Sequence, residues 1–353
     1  MKVLIAADKS RFFYLKQFAD ALNKQKIECN LVYDLDIYDK STNKKYIRWL
    51  SKPEKFQKII SEFKPDVVFT ERENHFSLLT AKAKIPLVRY LRGDYWTEMK
   101  WAKQKTNKIS QKQIKIMLKE RIAKKCFNDS AAILPICDYL TNITKTHYPN
   151  KIVKTLYQGI EPSDWYNENT NNLKHPCVGL LQNVNIWGKA KEMLILDKVI
   201  KSLPNVMFYW AGDGPYRDKI LLKLKKYDNF RWLGSLEYPS KVREFLSEID
   251  VYALISGQDM SPHTILEAAL MKKPIIATNV GGVKESMKDA EMGFLVLEGD
   301  YEDLIRKISI LINDSQKSKQ MGNAGQNFIK ENFTWDKIAS DFRVILKSNL
   351  NLE

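Results

Sequence analysis

The sequence is poor in cysteine, and this scarcity excludes a disulfide framework. Its four cysteines form no C-x-x-C pair and no zinc spacing, and they are Cys29, Cys126, Cys137 and Cys177. Isolated cysteines of this kind are typical of reduced thiols in the core of an intracellular protein. An Asp-x-Asp pair at Asp34 and Asp36 ends a predicted strand without the context of a metal site.

Long apolar runs and acidic residues are also scarce. No run approaches the ~20 residues that a membrane-spanning helix needs, and Met1-Lys2 leads directly into a predicted strand, so we expect no signal peptide. The 42 acidic residues face 57 basic ones, which leaves a net charge of +15. Such a charge indicates an acidic partner: nucleic acid, an anionic membrane surface or a phosphorylated ligand. We expect a cytoplasmic protein and leave a peripheral position at a membrane open.

Strand and helix patterns alternate along the 353 residues, a length that suits two domains better than one. The predicted strands of the first half are 3–6, 28–33, 67–70, 87–91 and 131–135. Those of the second half are 178–181, 206–211, 230–233, 251–255, 275–278 and 293–296. This alternation predicts an α/β protein with doubly wound parallel sheets, whose ligands bind at the carboxyl ends of the strands.

The most informative stretch is 256–285. Ser261 and Pro262 predict the start of a helix that is apolar on nearly every side except for Glu267. A short strand, the turn Gly281-Gly282 and a second helix start near Val283 follow. Helix N-termini bind anions, and a lone carboxylate can accept hydrogen bonds from hydroxyl groups. The stretch therefore predicts a ligand with phosphate and sugar hydroxyls.

The order of these features resembles the retaining glycosyltransferases of family 4, the glycogen-synthase-like group with the GT-B fold. Their signature is a Glu, seven residues, a second Glu, a small apolar helix, Lys-Pro, a strand and Gly-Gly. Here Glu267 is the second acid, and Asp259 replaces the first with a side chain one methylene shorter.

The resemblance implies two Rossmann-like domains that face a cleft. An acceptor-side domain would span 1–165, a domain that binds the nucleotide sugar would span 175–332, and a helix at 333–353 would cross back to the first domain. The polar stretch 167–174 would be the linker.

The resemblance also implies roles for charged residues. Asp259 would hold a hydroxyl of the donor sugar and Glu267 the ribose hydroxyls. The family's phosphate-binding arginine is absent, because Gly179 is followed by Leu180. Lys191 best matches the family's lysine, and Lys189 could replace the arginine, so both would neutralise the diphosphate; the alternative is that they are surface lysines.

Other predicted donor contacts lie at the ends of strands and the starts of helices. They are Ser261, His263, Thr264, Gly212, Gly234, Ser235, Leu236, Gly282 and Val283. His263 could donate to a phosphate oxygen or could be a side chain of the capping turn. We expect no metal and no cofactor, because lysines and helix ends would take the place of a cation.

The predicted acceptor-side domain resembles the corresponding domain of the family less closely. Where the family has a glycine-rich loop, this chain has Lys9 and Arg11, either of which could bind phosphate or lie in a solvated helix cap. Where the family often has a histidine, this chain has Arg92 or Asp94. We therefore predict Arg92, Asp94 and Lys9 as acceptor-side residues.

The segment 100–125 has ten basic residues and a single acid, Glu120. Ile114, Met117, Leu118 and Ile122 share one helical face. One interpretation is a helix that packs on the core through this face and exposes a solvated basic side. The other is a helix that lies near anionic lipid head groups.

Together these patterns predict a retaining hexosyltransferase that uses a nucleoside diphosphate sugar and a glycan or lipid-linked acceptor. A nucleotide-sugar epimerase or a phosphorylase on the same fold is an alternative. The epimerase would need a second carboxylate across the cleft, and the phosphorylase a much longer chain with a pyridoxal phosphate lysine. A nucleic-acid-binding protein is suggested by charge alone, but the basic segment lacks interleaved aromatic residues, so no nucleic acid is expected.

Overall fold

The structure, a computed structural model, describes residues 1–7, 12–37, 54–71, 75–104, 111–168, 171–350 and 352. The chain forms two compact units. Unit 1 contains 1–159 and 335–353, and unit 2 contains 160–334. The functional division at 1–165, 175–332 and 333–353 remains a prediction. Lys9 and Arg11 lie outside the described residues.

Unit 1 contains a six-stranded sheet in the order β2-β1-β3-β4-β5-β6, and every described pairing is parallel. The strands are β1 Lys2–Ala7, β2 Glu28–Tyr33, β3 Val67–Glu71, β4 Leu87–Leu91, β5 Ala132–Pro135 and β6 Ile152–Val153. Strands β3, β4 and β5 are buried along their whole length. Burial on both faces explains why they are nearly continuous apolar runs rather than alternating patterns.

Helices connect these strands. They are α1 Phe12–Lys24, α2 Asp34–Ile37, α3 Glu54–Phe63, α4 His75–Ala83, α5 Tyr95–Gln104, α6 Gln111–Asp129 and α7 Asp138–His147. The C-terminal helix, Trp335–Leu350, belongs to the same unit. It packs beside α1, where Trp335 Nε1 donates to Gln17 Oε1 at 2.8 Å. Gly159 permits this packing, because a Cβ atom there would lie 2.5 Å from the Trp335 ring.

Unit 2 contains a second six-stranded parallel sheet in the order β12-β11-β10-β7-β8-β9. Its strands are β7 Cys177–Leu181, β8 Met207–Ala211, β9 Phe230–Gly234, β10 Val251–Leu254, β11 Ile275–Thr278 and β12 Gly293–Val296. Its helices are α8 Trp187–Ala190, α9 Leu196–Ser202, α10 Arg217–Leu224, α11 Ser240–Glu248, α12 His263–Leu270, α13 Tyr301–Asn313 and α14 Ser315–Asn332. The predicted pair of doubly wound parallel sheets is confirmed.

The topology of unit 2 locates its ligand site. From β7 the chain continues outward to β8 and β9, whereas from β10 it continues the other way to β11 and β12. Strands β7 and β10 are neighbours, so the direction of winding reverses between them. Ligands of open α/β sheets bind at this switch point, outside the carboxyl ends of the strands.

Two local predictions in 256–285 are wrong. Helix α12 begins at His263, with Pro262 rather than Ser261 as its N-cap, because Pro262 keeps an extended ψ of 111°. The second predicted helix is a single 3-10 turn, Val283–Glu285. Its few residues cannot align the peptide dipoles of a full helix, so only α12 retains the predicted helix N-terminus.

Helix α6 packs through a face different from the predicted one. Its fully buried residues are Ala123, Cys126 and Phe127. By contrast Ile114, Met117 and Leu118, here called the α6 strip, are 53%, 66% and 47% exposed. These three side chains therefore do not pack on the core, whereas Ile122 of the same predicted face is half-buried. The helix does pack on the core with an exposed basic side, but through a face that was not predicted. Among the described helices, none is both long and apolar enough to cross a membrane.

Candidate functional site

Three loops of unit 2 are tied together around the switch point. The Gly257 N–H, after β10, donates to the Lys189 carbonyl, after β7, at 3.0 Å. The Gly282 N–H, after β11, donates to the Asp259 carbonyl at 3.0 Å. Neighbouring Gly281 has φ of +55°, and a Cβ atom there would lie 2.0 Å from the Asp259 oxygen. The close approach of these loops therefore depends on glycine.

A glutamine that the sequence reasoning missed joins the two central strands. The Gln182 side chain donates through Nε2 to the Ile255 carbonyl at 2.7 Å. Its Oε1 accepts from the Ile255 N–H at 2.9 Å. Gln182 directly follows β7, in the region where the family carries its arginine. No local pattern in the sequence distinguishes this role from that of any polar residue in a loop.

The structure separates the two lysines that were predicted to act together. Lys189 Nζ lies 3.9 Å from Asp259 Oδ1, and both side chains are partly buried. Lys191 Nζ instead lies 3.4 Å from Glu298 Oε1, in a pair that is about half exposed. Lys189 is therefore the lysine that adjoins the other predicted catalytic residue. The catalytic roles of Lys189, Lys191 and Asp259 remain predictions.

Glu267 is buried on α12 and has an imidazole beside it. His263 Nδ1 lies 2.8 Å from Glu267 Oε1, and the two side chains are 11% and 3% exposed. The remaining side chains of the last six helical residues are apolar and buried. The i,i+4 spacing of His263 and Glu267 is the signal in the sequence that could have found this pair.

The other predicted residues at the start of α12 have different surroundings. The Tyr252 hydroxyl donates to Thr264 Oγ1 at 2.6 Å. Burial raises the pKa of Tyr252 above its usual value, so this hydroxyl keeps its proton at neutral pH. Ser261 Oγ is buried without a hydrogen-bond partner among the described residues.

Backbone groups dominate the rest of the predicted donor site. The Gly212 N–H donates to the Gly234 carbonyl at 2.7 Å, which brings together the ends of β8 and β9. Ser235 is exposed and Leu236 is half-buried just beyond. Gly282 adjoins Asp259, but the Val283 side chain is fully buried, so only its backbone can contact a ligand.

Two of the predicted acceptor-side residues, Arg92 and Asp94, lie in unit 1 and already have partners there. Arg92 donates to Glu71 Oε1 at 3.1 Å and to Gln158 Oε1 at 2.6 Å. Asp94 Oδ1 accepts from the Trp96 and Thr97 backbone N–H groups, each at 3.1 Å. Asp94 thus caps the start of α5. Their part in acceptor binding remains a prediction.

Within the described residues, one group could supply three ligand atoms to a metal ion: His175, Cys177 and Asp250. These residues lie at the amino ends of β7 and β10, opposite the switch point. Asp250 Oδ2 is already hydrogen-bonded to His175 Nδ1 and to the Cys177 N–H, both at 2.8 Å. Burial raises the pKa of the Cys177 thiol to about 12, so the thiol is protonated at neutral pH. The group is therefore satisfied without an ion.

The profile of the family described as "Glycosyl transferases group 1" matches residues 187–328. Residues 187–328 are a group 1 glycosyltransferase domain. The group 1 domain contains both lysines, Asp259, Glu267 and the loops after β8, β10 and β11. The resemblance to family 4 that the sequence predicted is confirmed.

Solved structures extend the likeness to the whole fold. Sucrose-phosphate synthase from Thermosynechococcus elongatus has a TM-score of 0.77 at 12% identity, over 99% of each chain. The Anabaena protein HepE in complex with UDP-glucose has a TM-score of 0.70 at 16% identity, over 99% of this chain and 100% of that chain. At such low identities the likeness concerns the fold, which is GT-B.

A curated relative is N-acetyl-alpha-D-glucosaminyl L-malate synthase from Bacillus anthracis. It is 25% identical over 220 residues, which cover 58% of this chain and 56% of that protein. The chain spans less than two thirds of the length of the first curated relatives that it matches.

Proposed function

We propose that this protein is a retaining glycosyltransferase that moves a hexosyl group from a nucleoside diphosphate sugar to an acceptor. The observation that carries the proposal is the position of Lys189 beside Asp259 at the switch point of the group 1 domain. A cation at this point can face a diphosphate, and an acid can accept hydrogen bonds from a sugar. HepE, a protein with the same fold, was solved with UDP-glucose.

Each residue has a definite task in this reaction. Glu267 accepts hydrogen bonds from the two ribose hydroxyls, and Asp259 accepts one from a hydroxyl of the transferred sugar. Lys189 pairs with the diphosphate, whose negative charge increases as the bond to the sugar breaks. A cation already held at that position stabilises the transition state more than the bound substrate, which is the requirement for catalysis.

The proposal needs no metal ion. Lys189 supplies one positive charge, and backbone N–H groups at the start of α12 supply further donors. The ends of β8 and β9, from Gly212 to Gly234 and Leu236, would hold the base through backbone contacts. Activity should therefore persist in a chelator, whereas a metal-dependent enzyme would lose it.

We further propose that the acceptor is a glycan or a lipid-linked sugar and that unit 1 presents it from an anionic membrane surface. The exposed α6 strip lies on a helix whose residues Lys115, Lys119, Arg121, Lys124 and Lys125 are also exposed. Exposed apolar side chains among cations match an interface in which apolar groups enter the acyl boundary and cations meet acidic head groups.

The direct test is a thermal-shift panel of UDP, GDP and ADP with their sugars. A ligand that binds only the folded state at 100 times its Kd adds about 2.7 kcal/mol to the free energy of unfolding. We expect one nucleotide family to raise the melting temperature and Glu267→Ala to abolish most of that shift. The donor thus identified is then incubated with candidate acceptors, and proton NMR of the product gives its anomeric configuration. An absence of any shift in the wild-type protein, or an inverted product, would refute the proposal.

A further inference from the structure

The contact between His263 and Glu267 is unusually well enclosed for an ionisable pair. His263 is the first residue of α12, and Glu267 lies one turn later on the same face. Their side chains meet at 2.8 Å, between Nδ1 and Oε1. At 11% and 3% exposure, both groups are largely removed from water. A contact of this kind within a single helix does not depend on the position of any mobile loop.

This contact settles the orientation of the Glu267 carboxylate. The last torsion of a glutamate side chain is broad, so a carboxylate without a partner would sample many orientations. A hydrogen bond from Nδ1 to Oε1 fixes one oxygen and thereby the direction of the other. It also supplies a donor to a carboxylate in an apolar helix, where an unpartnered charge would be costly.

We infer that His263 is a positioning residue, which holds Glu267 so that its second oxygen faces the ribose hydroxyls of the donor. This inference rests on the proposed function. It assigns His263 a role through the carboxylate rather than through a phosphate oxygen. Ordering the carboxylate before the donor arrives lowers the entropic cost of binding, because the receiving group is already in place.

The two roles predict different patterns of binding. If His263 acts through Glu267, its loss weakens the binding of a nucleoside, a nucleoside monophosphate and a nucleoside diphosphate by the same factor, because all three carry the ribose. If His263 contacts phosphate, the affinity for the diphosphate decreases most and the affinity for the nucleoside is unchanged. The relative change in Kd among the three ligands therefore distinguishes a positioning role from direct contact with phosphate.

The test uses His263→Phe, which keeps a ring but has no donor, and His263→Asn, whose amide N–H can replace the Nδ1 donor. Calorimetric Kd values are measured for the nucleoside and its mono- and diphosphate. We expect His263→Phe to raise all three Kd values at least tenfold and His263→Asn to stay within threefold of wild type. In a Glu267→Gln background, His263→Phe should have less than a threefold further effect.

The melting temperature of each variant without ligand serves as the folding control, and His263→Leu replaces the phenylalanine variant if that one is unfolded. Unaltered Kd values in His263→Phe, or a loss of affinity confined to the diphosphate, would overturn the inference. Nucleotide binding by the wild-type protein would still be consistent with the proposed function. A wild-type protein that binds no nucleotide would instead refute the proposed function itself.

Discussion

Lys189 Nζ, on helix α8, lies 3.9 Å from Asp259 Oδ1, in the loop that follows β10. The contact joins residues that are distant in the chain, and it forms where the winding of the sheet reverses. Lys191, two residues after Lys189, points instead to Glu298.

Lys189→Met should lower turnover far more than Lys191→Met. If Lys189 stabilises the leaving diphosphate, its loss should reduce kcat by about 10²–10³, the range for removal of one preorganised donor. Lys191→Met should leave kcat within threefold of wild type, because its ammonium pairs with an exposed acid. Both variants are assayed at saturating donor. A larger loss in Lys191→Met would return the catalytic role to that residue.

Two glycines of α14 differ in the space around them, so their alanine variants provide a matched test of how this helix packs. At Gly322 a Cβ atom would lie 2.0 Å from the Lys272 carbonyl oxygen, whereas at Gly325 the nearest atom, Met292 Cε, would be 3.4 Å away. Alanine favours a helix over glycine by about 1 kcal/mol. Gly325→Ala should therefore be neutral or stabilising.

Gly322→Ala should lower the free energy of unfolding by about 1–3 kcal/mol, the usual cost of overpacking, because the Lys272 backbone that faces it cannot move away easily. Thermal melts of both variants beside wild type check the pair. Equal melting temperatures would mean that α14 does not pack tightly against the end of α12.

Glu192 should make stability depend on pH. Burial raises the pKa of its carboxyl group, although a hydrogen bond from the Gly299 N–H at 2.6 Å and the positive charge of Lys191 act in the opposite direction. Because the folded pKa lies above the unfolded value of about 4.3, the contribution of Glu192 to stability is fully present below that value. It is lost as the pH rises through the folded pKa.

Glu192→Gln should not lose stability in this way as the pH rises, because an amide does not ionise. Its oxygen can still accept the hydrogen bond from the Gly299 N–H. Its stability relative to wild type should therefore increase from pH 4 to pH 7, as measured by melting temperatures in the same buffers at constant ionic strength. A difference that stays constant with pH, or that decreases, would contradict the assignment.

The α6 strip should anchor the protein to anionic vesicles. Replacing Ile114, Met117 and Leu118 together by serine should reduce the fraction that sediments with such vesicles, because apolar area no longer enters the interface. Leu222→Ser is the matched control, since Leu222 is 80% exposed in unit 2. It should leave sedimentation unaffected.

Binding should also require anionic lipid and weaken with salt, because each basic residue near the surface contributes about 1 kcal/mol and exposed charges are screened within about 10 Å at 0.1 M. Equal sedimentation with neutral and anionic vesicles, or no effect of the triple substitution, would exclude this surface.

Local patterns predicted much of the fold. Burial on both faces makes parallel strands nearly continuous apolar runs, and the bounds of every predicted strand lie within one residue of those of an observed strand. The spacing of Asp259 and Glu267, with Gly281-Gly282 after them, predicted the family because these residues are close in the chain. The observed helix starts one residue after the predicted start, because Pro262 has an extended ψ of 111° and is the N-cap instead of the first helical residue.

The sequence by itself thus determined the two parallel sheets, the resemblance to group 1 glycosyltransferases and the stretch that carries the acids. Only the tertiary structure decided that Lys189 rather than Lys191 adjoins Asp259, because that contact joins helix α8 to the loop after β10, which are distant in the chain. It also decided which face of α6 is buried. Periodicity identifies an apolar face, but the neighbouring elements determine whether anything covers it, and here they cover Ala123, Cys126 and Phe127 and leave Ile114, Met117 and Leu118 in water.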